Sequence, residues 1–261
     1  MSGDLSALLW LLKLGALVNL YLLVDTLRLP GALDPNVAVP AWILFTVSAY
    51  RCLFPNRYAD NVVFHATRFS STGVTRLLAT FVEVSWIYQF SYVLRLLNQN
   101  GTGWVDALSW AMVVQVVVSQ GFVWGAIATG RLRLYVYEEI GWALIFLANT
   151  IASGFLYATT QPGEGGVLLL QLNLLFGFFY LPWQLLHLST LRSEATASGD
   201  ATEIEREAVS ARLRAAFTDT RRRTDAAAWG GLVGVTWMTA YWASLIPVWV
   251  HRVAVVVSSG L

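Results

Sequence analysis

Two adjacent carboxylates, Glu138 and Glu139, sit inside residues 134–153, LYVYEEIGWALIFLANTIAS, a run apolar enough to cross a bilayer. A charged side chain at membrane depth costs about 2.5–3.5 kcal/mol even on lenient insertion scales, so such groups face protein or water and act there. At helical spacing, Tyr135, Glu139, Trp142, Phe146, Asn149 and Ser153 fall on one polar or amphipathic stripe, in alternating steps of four and three residues. Leu, Ile and Ala occupy the opposite side. The stripe selects Glu139 over Glu138 as the acid that faces inward.

Other chemistry-bearing residues recur at the same depth. Glu83 lies about six residues, or ~9 Å, inside the apolar run that contains it. His187 lies four residues from the end of another, where Asn173, Gly177, Tyr180, Gln184 and His187 share one face. Arg51 and Cys52 close a third, and His65 follows in a polar stretch, residues 55–76, read as interfacial. Acids, imidazoles and a guanidinium therefore converge on one level. Glu83, Glu139, His187 and His65 are the expected catalytic groups. Arg51, Glu138, Trp142, Tyr180, Gln184, Asn149 and Asn173 are the expected substrate-binding groups.

These types suit three chemistries. Glutamate and histidine bind zinc or non-haem iron, although no HxxxH, HExxH or ExxH pair is present. A divalent metal therefore stays a candidate cofactor. A metal-free carboxylate–histidine pair, with Arg51 or Arg68 holding a phosphate, suits general-base work on a lipid or isoprenoid head group. No Gly-x-Ser-x-Gly elbow, Ser-x-x-Lys pair or aspartate-rich pyrophosphate motif accompanies it. Conduction along Lys13, Glu83, Glu139, Asn149 and Ser153 is the third. Polar residues thin out toward the outer leaflet, which favours a one-sided pocket over a pore. Gln115, Ser119, Asn149 and Asn173 also suit plain hydrogen bonding between helices.

The elements that position these groups follow from composition. Of 261 residues, 56% are hydrophobic and only 13% charged, against about 25% charged in soluble domains. Spans are expected at about 5–27, 39–54, 77–97, 104–129, 132–158, 167–191 and 226–257, with a loop at 192–225. The first reads as a retained span, because it lacks a basic n-region and a small-x-small cleavage site. No internal repeat is visible, and the chain is one polytopic membrane domain, residues 1–261. Lone Cys52 precludes an intrachain disulfide.

Arginine placement sets the expected orientation. One set of loops carries Arg51, Arg57, Arg68, Arg76, Arg131, Arg133, Arg192, Arg206, Arg212, Arg214, Arg221, Arg222 and Arg223; the other carries Arg28, Arg95 and Arg252. The basic set belongs in the cytoplasm, with the N-terminus inside and the C-terminus outside a bacterial-type inner membrane. In the 192–225 loop, Ile204, Ala208, Ala211 and Ala215 recur at helical steps and predict a short surface helix.

Seven spans invite comparison with microbial rhodopsins, and the inward N-terminus with heliorhodopsins. Retinal attachment there needs a lysine in the last span. The only lysine here is Lys13, so a covalent retinal is not expected and the likeness ends at span count. Trp104, Trp229 and Trp249 fit interface anchors, while Trp86, Trp110 and Trp142 lie deeper. The expectation is an all-α integral membrane bundle of seven helices. Its leading function is an enzyme acting on a lipid-soluble substrate at the cytoplasmic leaflet. The alternative is a small ion or proton channel or transporter using the same acids. Membrane lipid and a lipid-soluble molecule or ion are the expected partners, and nucleic acid is not.

Overall fold

A computed structural model describes residues 3–30, 33–57, 61–198 and 206–260. Among them, seven helical stretches are long and apolar enough to cross a membrane, as in an all-α membrane bundle. Leu17, Phe178, Leu185 and Leu232 lie more than half exposed on the outer faces, as lipid-facing side chains do. The first stretch is two helices, α1 (Ser6–Leu11) and α2 (Leu14–Leu27), with a break at Leu12 and Lys13. Then come α3 (Pro35–Leu53), α4 (Thr72–Leu97), α5 (Gly103–Thr129), α6 (Arg133–Thr159) and α7 (Glu164–Ser198). A short α8 (Arg206–Thr218) precedes the last stretch, α9 (Gly231–Met238) and α10 (Leu245–Ser258).

Local chemistry sets the ends. Asp34 caps α3 by accepting from the backbone N–H of Asn36, and Pro35 occupies the first turn, where its missing N–H costs nothing. The second span therefore begins before residue 39, the expected start. α5 stops at Gly130, whose φ of +72° suits a residue without Cβ. The last span starts at Gly231, later than residue 226, and breaks midway. Residues Thr239–Ala243 widen into a π turn, and Ser244 (φ −141°, ψ −82°) interrupts the helix before α10. Pro247, in the first turn of α10, has no N–H to rebuild the ladder across that break.

α2 packs on α3, α3 on α4, α4 on α5, α5 on α6 and α6 on α7, while α10 packs against α2, α3, α4 and α7. Trp86 is central, within 5.8 Å of the rings of Phe90, Trp142, Phe146 and Tyr241. Phe90 also stacks on Trp249 at 3.6 Å.

One end of the bundle is tied by a small sheet. β1 (Asn56–Arg57) pairs antiparallel with β2 (Val62–Val63), which pairs parallel with β3 (Arg221–Arg222). The Leu5 amide donates to Thr224, and Asp4 bridges Asp225. The N-terminal segment, the α3–α4 connection and the segment after α8 thus share one end. The expected interfacial stretch is shorter than 55–76, because Thr72–Arg76 already belongs to α4. The short helix expected in the 192–225 loop is α8, mostly exposed; it packs on α4 and α5, and the Phe217 ring fills the space where a side chain on Gly73 would stand. Of the stripe predicted for it, Ile204 lies outside the described residues.

Candidate functional site

Two linked clusters form at the sheet-bearing end of the bundle. In the first, Arg76 and Glu83 stand two turns apart on the same face of α4. Arg76 Nη1 donates to Glu83 Oε1 at 3.1 Å and Nη2 to Oε2 at 2.6 Å. Gln120 of α5 accepts from Arg76 and donates to Glu83 Oε2 at 2.9 Å. Glu138 of α6 brings Oε1 to 3.8 Å from Arg76 Nη1, and Trp142 Nε1 donates to that same oxygen at 3.5 Å. Arg76, Glu83 and Glu138 are 1%, 5% and 6% exposed. Charges so far from water persist only when paired and hydrogen-bonded, and the fork of a guanidinium matches the two carboxylate oxygens.

The second cluster joins α6 and α7. His187 Nε2 lies 3.3 Å from Glu139 Oε1. Gln184 donates at 2.7 Å to both the backbone oxygen and Oε2 of Glu139, so the carboxylate is held from two sides. Trp183 stacks on the His187 ring at 5.0 Å. His187 Nδ1 is buried with no hydrogen-bond partner among the described residues. The Nε2 edge of the imidazole thus meets the Glu139 carboxylate, which also reaches a cavity.

Both clusters line one cavity of ≈170 Å³, together with Arg51, Arg57, Glu194, Trp237, Tyr241 and Trp242. Arg51 donates to Asn56 at 2.5 Å and lies 4.7 Å over the Trp242 ring. Arg57 bonds both oxygens of Glu194, at 3.2 and 3.1 Å. Four carboxylates and three guanidiniums therefore face the cavity. No group of three or more His, Cys, Asp or Glu side chains among the described residues is placed to hold a metal ion.

The structure distributes the sequence-selected residues unevenly. Arg51, Glu83, Glu138, Glu139, Trp142 and His187 line the cavity, and Gln184 bonds Glu139. Contrary to the stripe, Glu138 is the more deeply buried acid; the Glu139 side chain is 15% exposed. α6 is covered by α4 and α5 on one flank and α7 on the other, so neighbouring residues can both meet protein. Tyr180 packs on Phe146 and Trp183. Asn173 donates to Ser153 at 3.1 Å and accepts from Trp249 at 3.0 Å, away from the cavity. Asn149 is fully buried there too. Lys13 rests 4.0 Å over Trp10 and does not line the cavity.

His65 is not brought to the mouth. It packs on Phe64 and Trp10, and burial, followed by the charges of Lys13 and Arg222, lowers its pKa from the usual 6.5. Arg68 is exposed and likewise does not line the cavity. Sequence reading missed Arg76 and Gln120 in the first cluster, and Arg57 and Glu194 on the cavity wall. Arg76 reads as a loop arginine, and its only signal is a position seven residues from Glu83, on the same helical face.

No family model, no curated protein and no solved structure matches the chain.

Proposed function

We propose that the protein is a membrane-embedded enzyme performing general acid–base chemistry on a lipid-soluble substrate at the cytoplasmic leaflet of a bacterial-type inner membrane. The supporting observation is the Glu139–His187 pair, fixed by Gln184 and Trp183 and lining a cavity beside a guanidinium. In this reading the Glu139 carboxylate takes a proton from the substrate's X–H group as X bonds to an electrophilic atom, which releases its leaving group. His187 Nε2 and Gln184 hold that carboxylate from its two oxygens and fix its direction. Arg51 faces the developing negative charge. The proton passes from Glu139 to the leaving group, so no residue is consumed. The arginine-bearing sheet end faces the cytoplasm in this reading, with the N-terminus inside and the C-terminus outside.

The test is conversion of lipid. Membrane lipid extract is incubated with the purified full chain and with His187→Gln, and both are profiled by mass spectrometry. Wild type should deplete a lipid and form a product that His187→Gln does not. Unchanged lipid profiles, together with liposome proton flux that Glu139→Gln abolishes, would overturn the enzyme reading in favour of conduction.

A further inference from the structure

A second hollow adjoins the polar cavity and deepens the reading above, on which it rests. Between α7 and the broken last span runs an apolar groove of ≈800 Å³, bounded on one side by Leu172, Phe176 and Trp183 and on the other by Ala240, Leu245 and Trp249. Trp237 and Tyr241 line both the groove and the polar cavity, so the two spaces share one wall. That wall is where the last span widens into its π turn and breaks at Ser244. A helix interrupted there packs less closely on its neighbour, and such breaks recur at functional sites.

The dimensions choose among lipids. Lining residues on α7 run from Leu168 to Trp183, on the order of 22 Å at 1.5 Å per residue. That exceeds one leaflet, which is about half of the ~30 Å hydrocarbon core. The walls are rich in aromatic rings, whose π faces can pack on the double bonds along an isoprenoid chain. The polar cavity limits the head. It is the smaller of the two spaces, ≈170 Å³ against ≈800 Å³. Arg76 is already matched by Glu83 and Glu138 and Arg57 by Glu194, while Arg51 is held by Asn56 and the Trp242 ring. That sets three guanidiniums against four carboxylates. An anionic head would meet Glu138 and Glu139, whereas a hydroxyl can donate to them.

The geometry points to a polyprenyl lipid with a small, uncharged, hydroxyl-bearing head as the substrate class, its chain in the α7–α10 groove and its hydroxyl at the Glu139–His187 pair. It reaches the site sideways from the bilayer.

The test uses the full chain in lipid nanodiscs and three photoactivatable probes with diazirine-bearing chains: geranylgeraniol, geranylgeranyl diphosphate and hexadecanol. Geranylgeraniol should label residues between 168 and 183 and between 236 and 249. The diphosphate should label them about tenfold less, as like charges repel, and hexadecanol should also label them less. Ala240→Trp and Leu172→Trp fill the groove from opposite walls and should each abolish the labelling. Leu147→Trp, on the outer face of α6, should not. Labelling spread evenly over the outer faces, or unaffected by both plugs, overturns the proposal. Stronger labelling by the diphosphate overturns the head, and equal labelling by hexadecanol overturns the chain. Labelling reads the groove, and turnover reads the Glu139–His187 pair. Labelling without turnover would therefore sink the chemistry alone, and turnover with an unlabelled groove would sink the groove alone.

Discussion

Arg76 and Glu83, seven residues apart on α4, meet through two hydrogen bonds at 3.1 and 2.6 Å, almost wholly out of contact with solvent. The pair is the keystone of the polar end of the bundle, because Gln120 and Glu138 both turn toward it. Replacing Arg76 by Leu strands two carboxylates, and losing one partner of a buried pair costs about 3–5 kcal/mol. Thermal melts in detergent should show that loss. Combining Arg76→Leu with Glu83→Leu should restore part of it, because the two residues are coupled.

Glu139 and His187 should behave as one unit in turnover. Each of Glu139→Gln and His187→Gln should lower kcat by about 10²–10⁴-fold, the range for a positioned proton-transfer group. The double variant should be little worse than either single one. Multiplicative losses in single-turnover kinetics would show that the two residues act separately.

His65 gives stability a pH dependence. Its folded-state pKa lies below 6.5, through burial and then the charges of Lys13 and Arg222. The unfolded chain therefore binds more protons in the window between the folded value and 6.5, and stability rises with pH there. It is complete above that window and is lost as pH falls through the folded value. His65→Asn should flatten the melting temperature against pH across this window, and an unchanged slope would place the proton elsewhere.

Gly177 tests the α6–α7 contact that seats the pair. A Cβ at this position would stand 2.0 Å from Thr150 Oγ1, which donates to the Phe146 carbonyl at 2.7 Å. Gly177→Ala should destabilise the protein by about 1–3 kcal/mol through overpacking. Adding Thr150→Ala should recover most of that in the same melt.

The spans are legible in the sequence because crossing ~30 Å of hydrocarbon demands long apolar runs, whatever their partners. That Glu83, Glu139, His187 and Arg51 line one cavity is legible by depth alone, once consecutive spans alternate in direction. Rotation about each axis is less so. Helical periodicity favours Glu139, yet α6 is covered on two flanks and buries Glu138 more deeply. Arg76 is misread because an arginine beside a polar stretch resembles a loop residue, and its partners Glu83, Gln120 and Glu138 come from three helices. The break at Ser244 leaves no periodic trace, since a π turn adds one residue without changing composition.

The little sheet joins strands from distant parts of the chain: β3, at Arg221–Arg222, completes what β1 and β2 begin. Made N-terminus first, the chain threads six spans into the bilayer before that strand leaves the ribosome. Until then the early helices have neither their knot nor α10 to lean on. Their final register waits on residue 221, and a nascent chain stalled before it lacks the cavity wall made by Trp237, Tyr241 and Trp242.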